Sequence, residues 1–228
     1  MLDTRARNIV QPILDRIARV CLRAGISANG LTVLGMLVGV CAALLVAAGH
    51  ASAGVAVLWL SGTIDAADGT LARLTRPSAL GAILDITLDR VVEIAMILAI
   101  ASRFPDAGFE LVLLSGIIAI AMSLFLSIGA AVTNLSLKSF HYAPGLGERT
   151  EAFICLSLMV LDSARLLLWT WVFIAVIVFT MAQRLHHAWC LLSPEDQKIR
   201  PCAETADRKP RGRSSSCRES AGDRPARS

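Results

Sequence analysis

The chain has 228 residues, 55% of them apolar and only 5% aromatic, with a mean hydropathy of +0.62 and a net charge of +4. So much aliphatic sequence with so few charges through the middle excludes an ordinary soluble globular domain. The six cysteines show neither C-x-x-C nor paired spacing, which argues against a zinc site or a disulfide framework.

Charge is unevenly spread. Residues 1–24 carry five arginines against two aspartates, residues 193–228 carry nine Lys/Arg against six Asp/Glu, and the apolar middle is net negative. Basic ends around an acidic membrane body suit anionic lipid headgroups. No basic surface is interleaved with aromatics, so no nucleic-acid partner is expected.

The fold class expected is an all-α integral membrane protein: six transmembrane helices preceded by an interfacial amphipathic helix. In residues 1–24, Ile9, Ile13, Ile17 and Val20/Cys21 recur at helical spacing while Arg16, Arg19 and Arg23 fall elsewhere. That pattern predicts a basic helix lying in the interface plane. Gly25 to Gly30 breaks it. The six-span domain is expected over residues 25–190, with spans at about 31–48, 53–74, 80–102, 109–132, 150–161 and 166–186. Most of these runs are long enough, at 1.5 Å per residue, to cross a hydrocarbon core of about 30 Å. Gly35-x-x-x-Gly39 in the first span reads as a close-packing face. Pro77 stops the second, Thr150-Glu151 is expected to cap the fifth, and His186-His187 is expected at the end of the sixth. Residues 191–228, rich in Ser, Pro, Arg and Glu, are expected to form a disordered polar cytoplasmic tail.

Loop charges set the orientation. Arg73 and Arg76, Lys138 and Arg149, and Arg184 with the tail share one side with the basic N-terminus. The opposite loops hold none, Arg103 and Arg165. The positive-inside rule places both termini in the cytoplasm, together with the stretch from Asp65 to Asp89.

That stretch carries the chemistry. Asp65, Asp68, Gly69 and Ala72 stand at i, i+3, i+4 and i+7, with Arg73 beside them; Gly81, Asp85 and Asp89 stand at i, i+4 and i+8 on the next span. A short loop makes the two spans antiparallel neighbours, so four carboxylates converge. Charges at membrane depth cost about 2.5–3.5 kcal/mol each on insertion scales, and like charges disfavour joint ionisation, so the group needs a cation. Oxygen ligands without Cys or His suit Mg²⁺, Mn²⁺ or Ca²⁺ rather than Zn²⁺. The glycines leave room for a bulky ligand and Arg73 offers a fork to a phosphate, which together suggest a pyrophosphate-containing donor.

Asp65-x-x-Asp68-Gly69-x-x-Ala72-Arg73…Gly81-x-x-x-Asp85-x-x-x-Asp89 resembles the signature of the CDP-alcohol phosphatidyltransferase family at eight positions. The resemblance extends more weakly over residues 1–190. One departure stands out: the seven residues Leu74–Leu80 form a gap one residue shorter than is usual in the family, which suggests a side branch. The resemblance implies that Asp65, Asp68, Asp85 and Asp89 hold Mg²⁺ or Mn²⁺, and that Asp89 is the general base. It implies that Gly69, Arg73 and Gly81, with Asn29 and Thr32, hold the CDP moiety. Lys138, Arg149 and Arg184 are candidates for the acceptor's phosphate. The expected reaction moves a phosphatidyl group from CDP-diacylglycerol to a polar alcohol and releases CMP, in a homodimer of the bacterial inner membrane. A CDP-amino-alcohol:diacylglycerol phosphotransferase is the rival within the family; a small transporter or a non-catalytic membrane scaffold are the rivals outside it.

Overall fold

The computed structural model describes residues 2–75, 78–134 and 149–192. Every element among them is helical. The helices are α1 (Leu2–Arg23), α2 (Ala28–Ala47), α3 (Ala51–Leu74), α4 (Ala79–Arg103), α5 (Gly108–Asn134), α6 (Arg149–Leu161) and α7 (Leu166–Leu192). Short 3-10 turns, Pro105–Ala107 and Ser163–Arg165, lead into α5 and α7. The chain up to His187 forms one compact unit; a second begins at Ala188, and the last residues of α7 are its described part.

Local chemistry accounts for the boundaries. Ser27 and Ser78 cap α2 and α4, their side-chain oxygens accepting from the amides of Gly30 at 3.1 Å and Gly81 at 2.9 Å. Between α1 and α2, Gly25 turns the chain with a φ of +72°. One expectation shifts. Helix α7 runs through His186 and His187 to Leu192, because the residues after the histidines contain no breaker.

Helices α2, α3 and α4 form the tightest group. Gly39 explains why: a Cβ there would lie 2.6 Å from a methyl of Val92 on α4 and 2.9 Å from the Ser61 hydroxyl on α3. The Ser61 hydroxyl donates to the Gly35 carbonyl at 2.7 Å, a buried interhelical bond that fixes the crossing. The main core continues through Leu58, Met96, Ile100, Leu111, Leu114, Leu156, Met159 and Phe173, joining α3 to α7.

A second apolar cluster ties α1 to this group. Leu14 and Ala18 pack with Leu31, Ala67 and Leu71, with Cys21 alongside. The face of α1 that meets the other helices thus lies beside the Ile17–Val20 face expected in the interface plane; Ile17 and Val20 are exposed, at 38% and 60%. The side chains of Ile9 and Ile13 lie outside the described residues.

Helices Ala28–Ala47, Pro105–Ala131 and Ser163–Cys190 are long and apolar enough to cross a membrane, the last two including their leading 3-10 turns. Helices α3 and α4 have comparable lengths, 24 and 25 residues, but carry the carboxylates.

Candidate active site

The antiparallel α3 and α4 bring the two carboxylate ladders face to face. One oxygen each from Asp65, Asp68 and Asp85 lie within 4.8 Å of one another. Asp68 is 5% exposed, and its Oδ2 is buried without a hydrogen-bond partner among the described residues. A buried carboxylate oxygen left unpaired is costly unless a cation meets it. Three convergent carboxylates, with no sulfur or imidazole, fit Mg²⁺ or Mn²⁺.

Asp89 stands apart from this trio. Its Oδ1 meets Arg149 Nη1 at 2.5 Å, and the same nitrogen pairs with Asp65 Oδ2. The guanidinium also sits over the Phe153 ring, 5.2 Å from its centroid. Arg149 is the first residue of α6, so a third helix supplies the positive charge that bridges α3 and α4.

Two adjoining cavities open on the trio. The smaller, about 160 Å³, is lined by Asn29, Thr32, Asp68, Gly69, Gly81 and Asp85 among others. Gly81 is needed there, since a Cβ would lie 3.0 Å from both Asn29 Oδ1 and Ser78 Oγ. Gly69 has only the Arg73 guanidinium near its missing side chain, at 3.8 Å. The larger cavity, about 440 Å³, shares Asp68, Gly69 and Asp85 and adds Asp65, Arg73, Arg149 and Trp59; its size falls among small-molecule sites of about 300–1,000 Å³. Arg73 donates to Thr70 Oγ1 at 2.8 Å, which steadies its fork at the rim. Thr32, on the wall of the smaller cavity, donates its hydroxyl to the Ala28 carbonyl at 3.0 Å.

A third cavity lies on the other side of Arg149, where Arg90, Glu93, Thr180 and Arg184 join it. Arg184 is braced 5.0 Å from the centroid of Phe125. Glu93 is 2% exposed and ion-paired with Arg90.

The structure thus gathers Asn29, Thr32, Asp65, Asp68, Gly69, Arg73, Gly81 and Asp85 around two joined cavities. Asp89 is set one turn beyond, and Arg149 and Arg184 share the third cavity. Lys138 lies outside the described residues, as do Arg76 and the expected tail from 193 onward. Arg90 and Glu93 were not singled out from sequence. The signal existed: Glu93 continues the Gly81, Asp85, Asp89 ladder by four more residues.

Comparisons with known proteins identify the family. The CDP-alcohol phosphatidyltransferase family model matches residues 26–183. Archaetidylinositol phosphate synthase of Methanothermobacter thermautotrophicus is 34% identical over 192 residues, covering 80% of this chain and 90% of that protein. The inner membrane protein YnjF of Escherichia coli is 33% identical over 165 residues, 68% of this chain and 79% of that one. Among solved structures, phosphatidylinositol phosphate synthase (PgsA1) of Mycobacterium tuberculosis with CDP-DAG bound superposes with a TM-score of 0.60 at 28% identity, covering 78% of this chain and 94% of that chain. The same enzyme in complex with manganese and citrate gives a TM-score of 0.62 at 26% identity, covering 77% and 88%. With the signature residues gathered round one site, a family model over most of the chain and apolar helices that match a membrane relative, the protein is an integral membrane member of the CDP-alcohol phosphatidyltransferase family.

Proposed function

We propose that the protein transfers the phosphatidyl group of CDP-diacylglycerol to the hydroxyl of an alcohol that itself carries a phosphate, releasing CMP. The observation that carries the reading is the joining of the Asp65–Asp68–Asp85 trio to a glycine-lined cavity on one side and an arginine-lined cavity on the other. The relatives named for inositol phosphate products point to a phosphorylated polyol as acceptor.

Asp65, Asp68 and Asp85 would hold Mg²⁺ or Mn²⁺, which supplies positive charge to the pyrophosphate oxygens as the bond to CMP breaks. Asn29, Thr32, Gly69 and Gly81 hold the cytidine end, and Arg73 takes a phosphate oxygen at the rim. Asp89 accepts the proton of the attacking hydroxyl. It lies one turn beyond Asp85 and pairs with Arg149, which lines the third cavity, and this supports entry of the hydroxyl from that cavity. Arg149 and Arg184, with Lys138, bind the acceptor's phosphate. In the amino-alcohol rival the acceptor is diacylglycerol, an uncharged alcohol that would give Arg149 and Arg184 no anion to bind, which disfavours it.

Six spans, an interfacial α1, cytoplasmic termini and an inner-membrane homodimer complete the proposal. The exposed Ile17 and Val20 on a helix rich in arginine support the interfacial part. The test incubates purified full-length protein with Mn²⁺ or Mg²⁺, CDP-diacylglycerol and a panel of free and phosphorylated alcohols. CMP release with a phosphorylated polyol is expected; no CMP from any donor–acceptor pair would overturn the reading.

A further inference from the structure

We propose that Arg149 is an exchangeable counter-ion shared by two cavities. It neutralises Asp65 and Asp89 until a divalent metal claims the carboxylates, then turns to the third cavity and completes an anion site beside Arg184. The inference deepens the function proposed above and rests on it.

Three features of the site support the exchange. First, a single nitrogen, Nη1, serves both Asp65 Oδ2 and Asp89 Oδ1. Asp65 is also one of the three convergent ligands, so guanidinium and metal compete for the same negative charge. Secondly, Arg149 lines both the cavity of the trio and the cavity of Arg184, and its side chain is 22% exposed. It can pass from one to the other by rotating side-chain torsions, with the Phe153 ring beneath it as a platform. Thirdly, the charges on the two sides are opposed. Carboxylates attract the guanidinium on one side. On the other, Arg184 is a like charge, while Arg90 and Glu93 pair with each other and Glu93 also attracts the guanidinium. A metal cancels the attraction, and an anion in the third cavity cancels the repulsion.

Two consequences bear on the reaction. Asp89 cannot accept a proton readily while Nη1 holds its oxygen, so release of Arg149 frees the base. Metal and acceptor anion each favour the same Arg149 position, so each must tighten the binding of the other by an equal factor.

The test uses the full-length protein in detergent, with Mn²⁺ and inorganic phosphate as probes. Phenylglyoxal modification of Arg149 is followed by peptide mass spectrometry. Mn²⁺ should speed the modification, and phosphate added to the Mn²⁺-loaded protein should slow it again. No change with Mn²⁺, or slower modification, would overturn the exchange. In parallel, Mn²⁺ affinity is read from the electron paramagnetic resonance of free Mn²⁺. Phosphate should tighten Mn²⁺ about tenfold in the wild type, a coupling of ordinary size. In Arg149→Gln, Mn²⁺ should bind more tightly without phosphate, and the phosphate effect should vanish. Persistence of the phosphate effect in that variant would also overturn the exchange. Should Arg149→Gln fail to fold, the wild-type labelling decides alone. None of these readouts needs donor or turnover, so they fail separately from the CMP assay.

Discussion

Asp89 and Arg149 control each other at the residue scale. A carboxylate held by a guanidinium is a poor proton acceptor, and the same carboxylate released beside an incoming hydroxyl is a good one. Asp89→Asn should therefore lower turnover by about 10²–10⁴, the usual range for removing a general base, while CDP-lipid binding persists. Turnover near that of the wild type would remove Asp89 from the base role. Gly81→Ala acts at the other end of the site. Its Cβ would crowd Asn29 Oδ1 and Ser78 Oγ at 3.0 Å, so the KM for the CDP-lipid should rise with a smaller effect on kcat; an unchanged KM would contradict the assignment of that cavity to the donor. The Asp/Gly/Arg set was legible in the sequence because its spacing is local: each ladder lies on one helix, and a short loop makes the ladders neighbours. The pairing of Arg149 with Asp65 and Asp89 was not. No local spacing links a residue on α6 to α3, and Arg149 read instead as a ligand for the acceptor. Glu93 could have been read from the same ladder that gave Asp85 and Asp89.

At the scale of elements, small residues and caps set the positions that the chemistry needs. Ser78 caps α4 and lines the smaller cavity at once. Ser78→Ala should cost about 1 kcal/mol, seen as a lowered thermal midpoint in detergent. A midpoint equal to that of the wild type would show that α4 starts without the cap. Gly39→Val should be more severe, because the nearest atoms to the new Cβ are packed side chains of α3 and α4. Overpacking of this kind costs about 1–3 kcal/mol, and activity should fall with it, since α3 and α4 carry every candidate metal ligand. Helix existence was legible from the apolar runs, and the break between α1 and α2 from the stretch Gly25 to Gly30. The end of α7 was misjudged because two polar histidines resemble an exit from the membrane, yet nothing after them breaks a helix. The interfacial stripe of α1 was read from sequence; the stripe beside it, Leu14 and Ala18, which packs on α2 and α3, was not, because the two run side by side.

At the scale of the whole molecule, the arrangement separates two tasks. Long apolar helices, α2, α5 and α7, match the membrane, while α3 and α4 take the charges that hydrocarbon would reject. Helix α6 supplies the arginine between them. The integral membrane character was legible from composition, and three described helices are long and apolar enough to cross a membrane; α3 and α4, which carry the carboxylates, are not among those three. The cytoplasmic orientation proposed from the loop charges predicts that tags at either end are reached by an impermeant label only after the cells are broken. Labelling of one end in intact spheroplasts would reverse the orientation.

The central claim is that a carboxylate-bound metal and a CDP-lipid cavity work as one site for phosphatidyl transfer. The most direct measurement is a mass spectrum of the lipid product, made alongside quantified CMP, from CDP-diacylglycerol and a phosphorylated polyol. The account predicts one new phosphatidylated polyol per CMP, loss of both with EDTA, and recovery of both with Mn²⁺. CMP formed without a phosphatidylated product, or product formation indifferent to EDTA, would contradict it.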